Sequence, residues 1–221
     1  GESVAILLDG GHLTNVRTAA AGAVVSKYMA PKNVHRIGVF GSGVQGQMQV
    51  EYMKGIVDCK DIIAWGRSDE SMAAYKSAME AQGYTVETTR DAEAIASSCN
   101  MIITSTPSKE PLLTADQIRP GTHITAMGSD TPEKVELDPQ ILANADVLVV
   151  DSIPQSKSRG EIAKATEAGA IAEGAATELG AVIQDPSKGR TSDGQTTIAD
   201  LTGVAVQDIQ ISKAVYKAVS A

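Results

Sequence analysis

Two hydrophobic rhythms share this chain, and their order predicts its architecture. Short apolar runs recur at 37–40, 62–65, 85–87, 101–104, 123–126 and 147–150. Segments with helical spacing or turn residues separate most of them, among them 45–54, 69–82 and 91–98. Such alternation predicts an α/β fold: parallel strands need crossover connections, and helices covering both faces of the sheet supply them. An earlier apolar run, 4–8, ends in "DGG" and predicts one more strand entering a turn. "LTNVRTAAAGAVVSKYMAP" then predicts a helix with Thr14 as its N-cap and Pro31 as its stop.

After Asp151 the rhythm fades. "SIPQSKSRGEIAKATEAGAI" reads as polar helical pieces, "QDPSKGRTSDGQTT" as loop, and "VAVQDIQISKAVYKAV" as a C-terminal helix. The expected division is a leading strand and helix over 1–30, a sheet domain over 31–195 and a returning helix over 196–221.

Composition narrows the class. Aromatics make up 3% of a chain that is 43% hydrophobic, a balance suited to aliphatic helices on buried parallel strands. The net charge of −8 and the lack of any Lys/Arg cluster argue against a nucleic-acid or anionic membrane partner, so an anionic ligand must be held by a few local donors. No apolar run reaches the roughly 18 residues of a membrane span, and no secretory signal is visible, so a cytoplasmic protein is expected. The absence of an initiator Met before "GESVAILLDGG" suggests a chain cut from a longer one. Cys59 and Cys99 lack metal-ligand spacing, as do His12, His35 and His123, so no metal site is expected. No GxSxG pattern points to a hydrolase.

"RIGVFGSGVQGQMQ" is the most informative stretch. Gly41, Gly43 and Gly46 form GxGxxG directly after an apolar strand and before a helical pattern. Glycines there permit a tight turn and close backbone approach to a pyrophosphate, which the helix N-terminus then receives. The end of the second strand, where an acid would take the ribose 2′-hydroxyl of NAD, reads Gly66-Arg67-Ser68 instead. Arg67 and Ser68 suit a 2′-phosphate, favouring NADP(H) while leaving NAD(H) possible; a solvated loop arginine is the alternative. Arg17, expected in the first turn of its helix, is disfavoured by the macrodipole unless an anion docks there. A solvated arginine fits that position equally. Asp130 follows the strand 123–126, at the edge where α/β sheets bind ligands. Its alternative is turn chemistry, with Thr131 as N-cap and Pro132 opening a short helix.

The segments "LLDGGHLTNVRTAAAGA", "GVFGSGVQGQ", "ITSTPSKEPLL", "MGSDTPEKVELD", "VVDS", "RGEI" and "TGVAVQD" occur together, in order, over nearly the whole chain. In them the chain resembles the ornithine cyclodeaminase/mu-crystallin family. The resemblance implies a Rossmann-type doubly wound parallel sheet with flanking N- and C-terminal helices. It also implies a small amino-acid or imino-acid substrate, and hydride transfer between its α-carbon and NAD(H) or NADP(H). Ornithine cyclodeaminase chemistry, an ammonia-lyase reaction with catalytic NAD, and non-catalytic NADPH-dependent binding of the mu-crystallin kind are the alternatives. By the same resemblance Arg17 binds cofactor phosphate and substrate carboxylate, with Thr18 beside it. Gly41, Gly43, Val44 and Gln45 contact the cofactor in the glycine loop, and Gly66, Arg67 and Ser68 hold the adenosine ribose. Thr104 and Ser105 line the nicotinamide side. Met127, Gly128 and Ser129 run under the nicotinamide ribose, with Asp130 the catalytic acid/base and Lys134 supporting the cofactor. Leu201 and Thr202 bring the C-terminal segment to cofactor and substrate. Two departures stand out. The family's N-terminal segment, which supplies substrate-binding cations and most of a homodimer interface, is missing from this sequence. "WGRS" also replaces the acidic strand end expected of NAD-dependent ornithine cyclodeaminases.

Overall fold

The computed structural model describes residues 3–220. The apolar runs become β1 (Ile37–Phe40), β2 (Asp61–Trp65), β3 (Thr85–Thr89), β4 (Met101–Thr104), β5 (His123–Ala126) and β6 (Val147–Val150). Two further strands, β7 (Thr177–Glu178) and β8 (Thr197–Asp200), join them. All pair in parallel, in the order β3-β2-β1-β4-β5-β8-β6-β7. Every residue of β1, β4, β5 and β8 is buried. Continuous apolar runs form such strands because a central parallel strand has no solvent face.

The helices are α1 (His12–Met29), α2 (Val44–Tyr52), α3 (Asp69–Glu80), α4 (Ala92–Ser98), α5 (Pro139–Ala143), α6 (Ile153–Ser156), α7 (Gly160–Glu167), α8 (Leu179–Gln184) and α9 (Ala205–Val219). Alternate strand residues feed different cores. Ile63, Ile102, Ile124 and Ile198 meet Ile95 of α4, Ile141 of α5 and Ile162 of α7. Ile37, Val39, Ile62 and Met101 meet Val50 of α2 and Tyr75 of α3. Val25 and Met29 of α1, with Val182 of α8, close a third cluster over Met127, Val149, Ala199 and Leu201. No helix among the described residues is long and apolar enough to cross a membrane.

Four expectations are corrected. Residues 4–8 form no strand: Val4, Ile6 and Leu8 are 73%, 83% and 94% exposed. A strand needs a neighbour for its backbone groups, and no ladder reaches this segment among the described residues. Thr14 is not the cap of α1. The helix starts at His12 after the left-handed Gly10 and Gly11, and the Asp9 carboxylate takes the Leu13 N–H at 2.6 Å. Arg17 therefore lies in the second turn, where the macrodipole argument loses most of its force. Thr131 and Pro132 open a single turn rather than a helix, closed by the Lys134 N–H on the Thr131 carbonyl at 3.2 Å. The sheet also continues past residue 195, since β8 lies between β5 and β6.

Parallel pairing puts the carboxyl ends of all strands at one edge. The chain builds β1, β2 and β3 outward, then returns to the other side of β1 with β4. That reversal is a topological switch point, where α/β sheets leave a crevice between diverging loops.

Candidate active site

The glycine loop sits at the switch point. Gly41 has φ +108°, and a Cβ there would lie 2.8 Å from the Ser105 carbonyl oxygen. A Cβ on Gly46 would stand 1.9 Å from the Gly41 carbonyl oxygen, so α2 approaches the turn as closely as only glycine permits. The Ser105 N–H bonds the Phe40 carbonyl at 2.9 Å, joining the ends of β4 and β1. Gly43 is the N-cap of α2 and supplies no side-chain acceptor, so the first N–H groups of that helix remain for a ligand. The loop, residues 65–68 at the end of β2 and residues 105–107 after β4 enclose a cleft of about 350 Å³. At its β2 end Ser68 caps α3 by accepting the Ser71 N–H at 3.2 Å, and Arg67 is exposed. Arg90, after β3, reaches the same corner through Asp69 at 2.8 Å.

Asp130 stands on the edge after β5, 53% exposed, with Lys134 Nζ 2.6 Å from Oδ1. The residues leading to it are buried against carboxylates. Glu136 accepts the Gly128 N–H at 2.9 Å, and the Ser129 hydroxyl donates to Glu161. Glu161 also accepts the N–H groups of Glu136 at 2.9 Å and Leu137 at 3.1 Å. Burial, with Asp200 adding repulsion, pushes the Glu161 carboxyl up to about 8. Burial likewise pushes Asp200 up to about 7, while it accepts the Ile162 N–H at 2.9 Å. Asp151, raised by burial too, takes the Gly203 N–H at 2.7 Å and the Thr202 hydroxyl at 3.2 Å.

A third group comes from α1 and α9. Arg17 is 17% exposed, with Nε 3.1 Å from Asp208 Oδ1 and Nη1 3.2 Å from Gln207 Oε1. Between it and the carboxyl edge lies a narrow gap lined by Thr18, Met127, Asp151, Leu201 and Gly203. Gln45 Nε2 bonds the Asn15 side chain at 3.1 Å and so ties α2 to α1.

Residues 2–221 match the sequence model of the ornithine cyclodeaminase/mu-crystallin family. The chain belongs to that family. Within it, the chain is 39% identical over 215 residues to an uncharacterized cyclodeaminase of Sinorhizobium fredii, covering 96% of this chain and 65% of that protein. It is 36% identical over 214 residues to the iminosuccinate reductase of Paracoccus denitrificans, covering 97% and 66%. Among solved structures, an archaeal alanine dehydrogenase dimer with bound NAD superposes with a TM-score of 0.87 at 37% identity, over 94% of this chain and 64% of that one. The chain thus spans about two thirds of the length of these relatives.

Many of the residues expected at the site line one of two pockets. Gly41, Gly43, Gly66, Arg67, Ser68 and Ser105 line the glycine-loop cleft. Arg17, Thr18, Met127 and Leu201 line the gap beside α1. Val44 is exposed at the start of α2, and Lys134 is occupied by Asp130. Three hydroxyls are turned inward: those of Thr104, Ser129 and Thr202 donate to Glu136, Glu161 and Asp151. These side chains are therefore committed to carboxylates, buried in Glu136 and Glu161 and half-buried in Asp151, and leave mainly backbone to face a ligand. Sequence reasoning assigned no role to those carboxylates. Glu136, Asp151 and Glu161 sit inside the matched segments "VELD", "VVDS" and "RGEI", which is the signal that marked them.

Proposed function

We propose that this chain carries the dinucleotide-binding and acid/base part of an NAD(P)-dependent oxidoreductase. The reaction is hydride transfer at the α-carbon of an amino acid or imino acid. The observation that carries this reading is the placement of Asp130 on the same sheet edge as the glycine-loop cleft, with β4 and its Ser105 between them. Two of the relatives, an iminosuccinate reductase and an alanine dehydrogenase with bound NAD, support this reading by name.

The residues present fit a dinucleotide: Gly41 and Gly46 let the turn and α2 close tightly, Gly43 leaves open space for the pyrophosphate, and the start of α2 has N–H groups to receive it. When bound, the dinucleotide supplies or accepts the hydride. Arg17 holds the substrate carboxylate and a cofactor phosphate by exchanging Asp208 for the ligand. Asp130 moves a proton to or from the substrate nitrogen, or to an attacking water, and Lys134 holds its carboxylate in place. Met127, Gly128 and Ser129 carry the nicotinamide ribose on their backbone, and Leu201 and Thr202 close the substrate side. Arg67 and Ser68 at the β2 end favour NADP(H), with NAD(H) the second choice. The functional unit is a homodimer, as in the alanine dehydrogenase, and the buried free thiols Cys59 and Cys99 accord with the cytoplasm.

The test mixes the full-length protein with NADPH or NADH and a panel of cyclic imines and 2-oxo acids with amines. A parallel arm uses L-ornithine with NAD and detects ammonia. Oxidation of the reduced cofactor by imines, without ammonia from ornithine, is the expected result. Ammonia release without net NADH accumulation selects the cyclodeaminase reading instead. Asp130→Asn lowers kcat by about 10²–10⁴-fold with cofactor affinity nearly unchanged; full activity in that variant refutes the proton-transfer role.

A further inference from the structure

Glu136 has surroundings that its place in a polar stretch does not explain. Its side chain is 0% exposed. It accepts four hydrogen bonds, two on each oxygen. Oε1 takes the Thr106 N–H at 2.6 Å and the Thr106 hydroxyl at 2.7 Å. Oε2 takes the Thr104 hydroxyl at 2.6 Å and the Gly128 N–H at 2.9 Å. Three donors thus belong to the end of β4 and the segment after it, and the fourth to the segment after β5. One carboxylate spans the two.

The contact is close on every side. A Cβ on Gly128 would lie 2.5 Å from the Glu136 carboxylate and 2.3 Å from the Thr106 carbonyl oxygen, so the backbone there rests directly on the bridge. The main chain of Glu136 is itself fixed, its N–H on Glu161 at 2.9 Å and its carbonyl on the Leu112 N–H at 2.7 Å. Thr104 and Thr106 flank Ser105, and Gly128 lies two residues before Asp130.

We propose that Glu136 is a positioning residue: by tying Thr104 and Thr106 to Gly128 it sets the spacing between Ser105 and Asp130, and so the fit of the nicotinamide end of the cofactor. This rests on the dinucleotide reading above. A carboxylate suits the role because it accepts on both oxygens at once. An amide of the same shape turns an NH₂ group toward one backbone N–H and one hydroxyl; the hydroxyl can reverse and accept, but the N–H is left unsatisfied against another donor, which pushes the segments apart.

The experiment compares two ligands that share the adenosine end and differ at the nicotinamide. Kd is measured for the preferred reduced dinucleotide and for its ADP-ribose counterpart, in the wild type, Glu136→Gln, Glu136→Asp and Thr106→Val, each with its Tm. In Glu136→Gln the dinucleotide binds about tenfold more weakly, the loss of about one charged hydrogen bond, while ADP-ribose affinity is unchanged. Glu136→Asp, which keeps both acceptor oxygens, recovers part of that loss. If Glu136→Gln does not fold, Thr106→Val decides: it removes one hydroxyl donor and gives the same selective loss, about threefold. Equal weakening of both ligands, or of neither, overturns the proposal and leaves Glu136 a support of the fold. A wild type that binds the dinucleotide no better than ADP-ribose overturns it along with the nicotinamide site itself. A wild type that binds neither ligand refutes the proposed function.

Discussion

Glu161 is pushed by burial and by Asp200 from the ordinary 4.5 to about 8. A carboxyl raised on folding stays protonated in the folded chain over a range where the unfolded chain has lost its proton. Its stabilisation is therefore complete below about 4.5 and is lost as pH rises through about 8. Asp200, raised from 3.8 to about 7, acts in the same direction over a lower window. His123, lowered by burial to about 3, acts the opposite way below about 6.5, so Tm falls most clearly as pH is raised from about 6.5 to about 8, and Glu161→Gln shows a shallower slope in the same titration. An unchanged slope in that variant refutes the assignment. At this scale the sequence was legible only in part. The place of Asp130 on the edge after β5 followed from the apolar run before it. Glu136, Glu161 and Asp200 look like solvated charges when read alone, because their burial depends on distant segments folding over them.

The glycine loop separates two roles that one motif combines. A Cβ on Gly46 meets backbone at 1.9 Å, whereas a Cβ on Gly43 meets nothing within 4 Å. Gly46→Ala therefore loses about 1–3 kcal/mol of stability through a clash that backbone cannot relieve cheaply, visible as a lower Tm. Gly43→Ala loses less, the roughly 0.5–1 kcal/mol of a poorer N-cap, and weakens dinucleotide binding, because its new methyl group enters only the ligand's space. Equal Tm values for the two variants contradict this division. The strong strands were legible because central parallel strands need unbroken apolar runs, and 37–40, 101–104, 123–126 and 147–150 match the observed bounds. β8 was not, since "TIAD" lies in a turn-rich stretch and is buried only because β5 and β6 lie on either side of it. Residues 4–8 failed for the opposite reason: the apolar pattern is there, but the neighbour that would make it a strand is not among the described residues.

For the molecule as a whole, all-parallel pairing in the order β3-β2-β1-β4-β5-β8-β6-β7 collects every carboxyl strand end at one edge. Alternation along the chain foretold the parallel sheet, and the resemblance foretold the family. What neither foretold is that Arg17 reaches across to α9 and pairs with Asp208. That contact joins residues far apart in the chain, and no local pattern records it. The account of the whole molecule rests on hydride passing between nicotinamide and a substrate α-carbon. The most direct test supplies the full-length protein with reduced cofactor carrying deuterium at the transferred nicotinamide C4 position and an imine that it turns over, then examines the amino-acid product by mass spectrometry. The account predicts deuterium on the α-carbon of the product. Product formed with only solvent hydrogen at that carbon would contradict it.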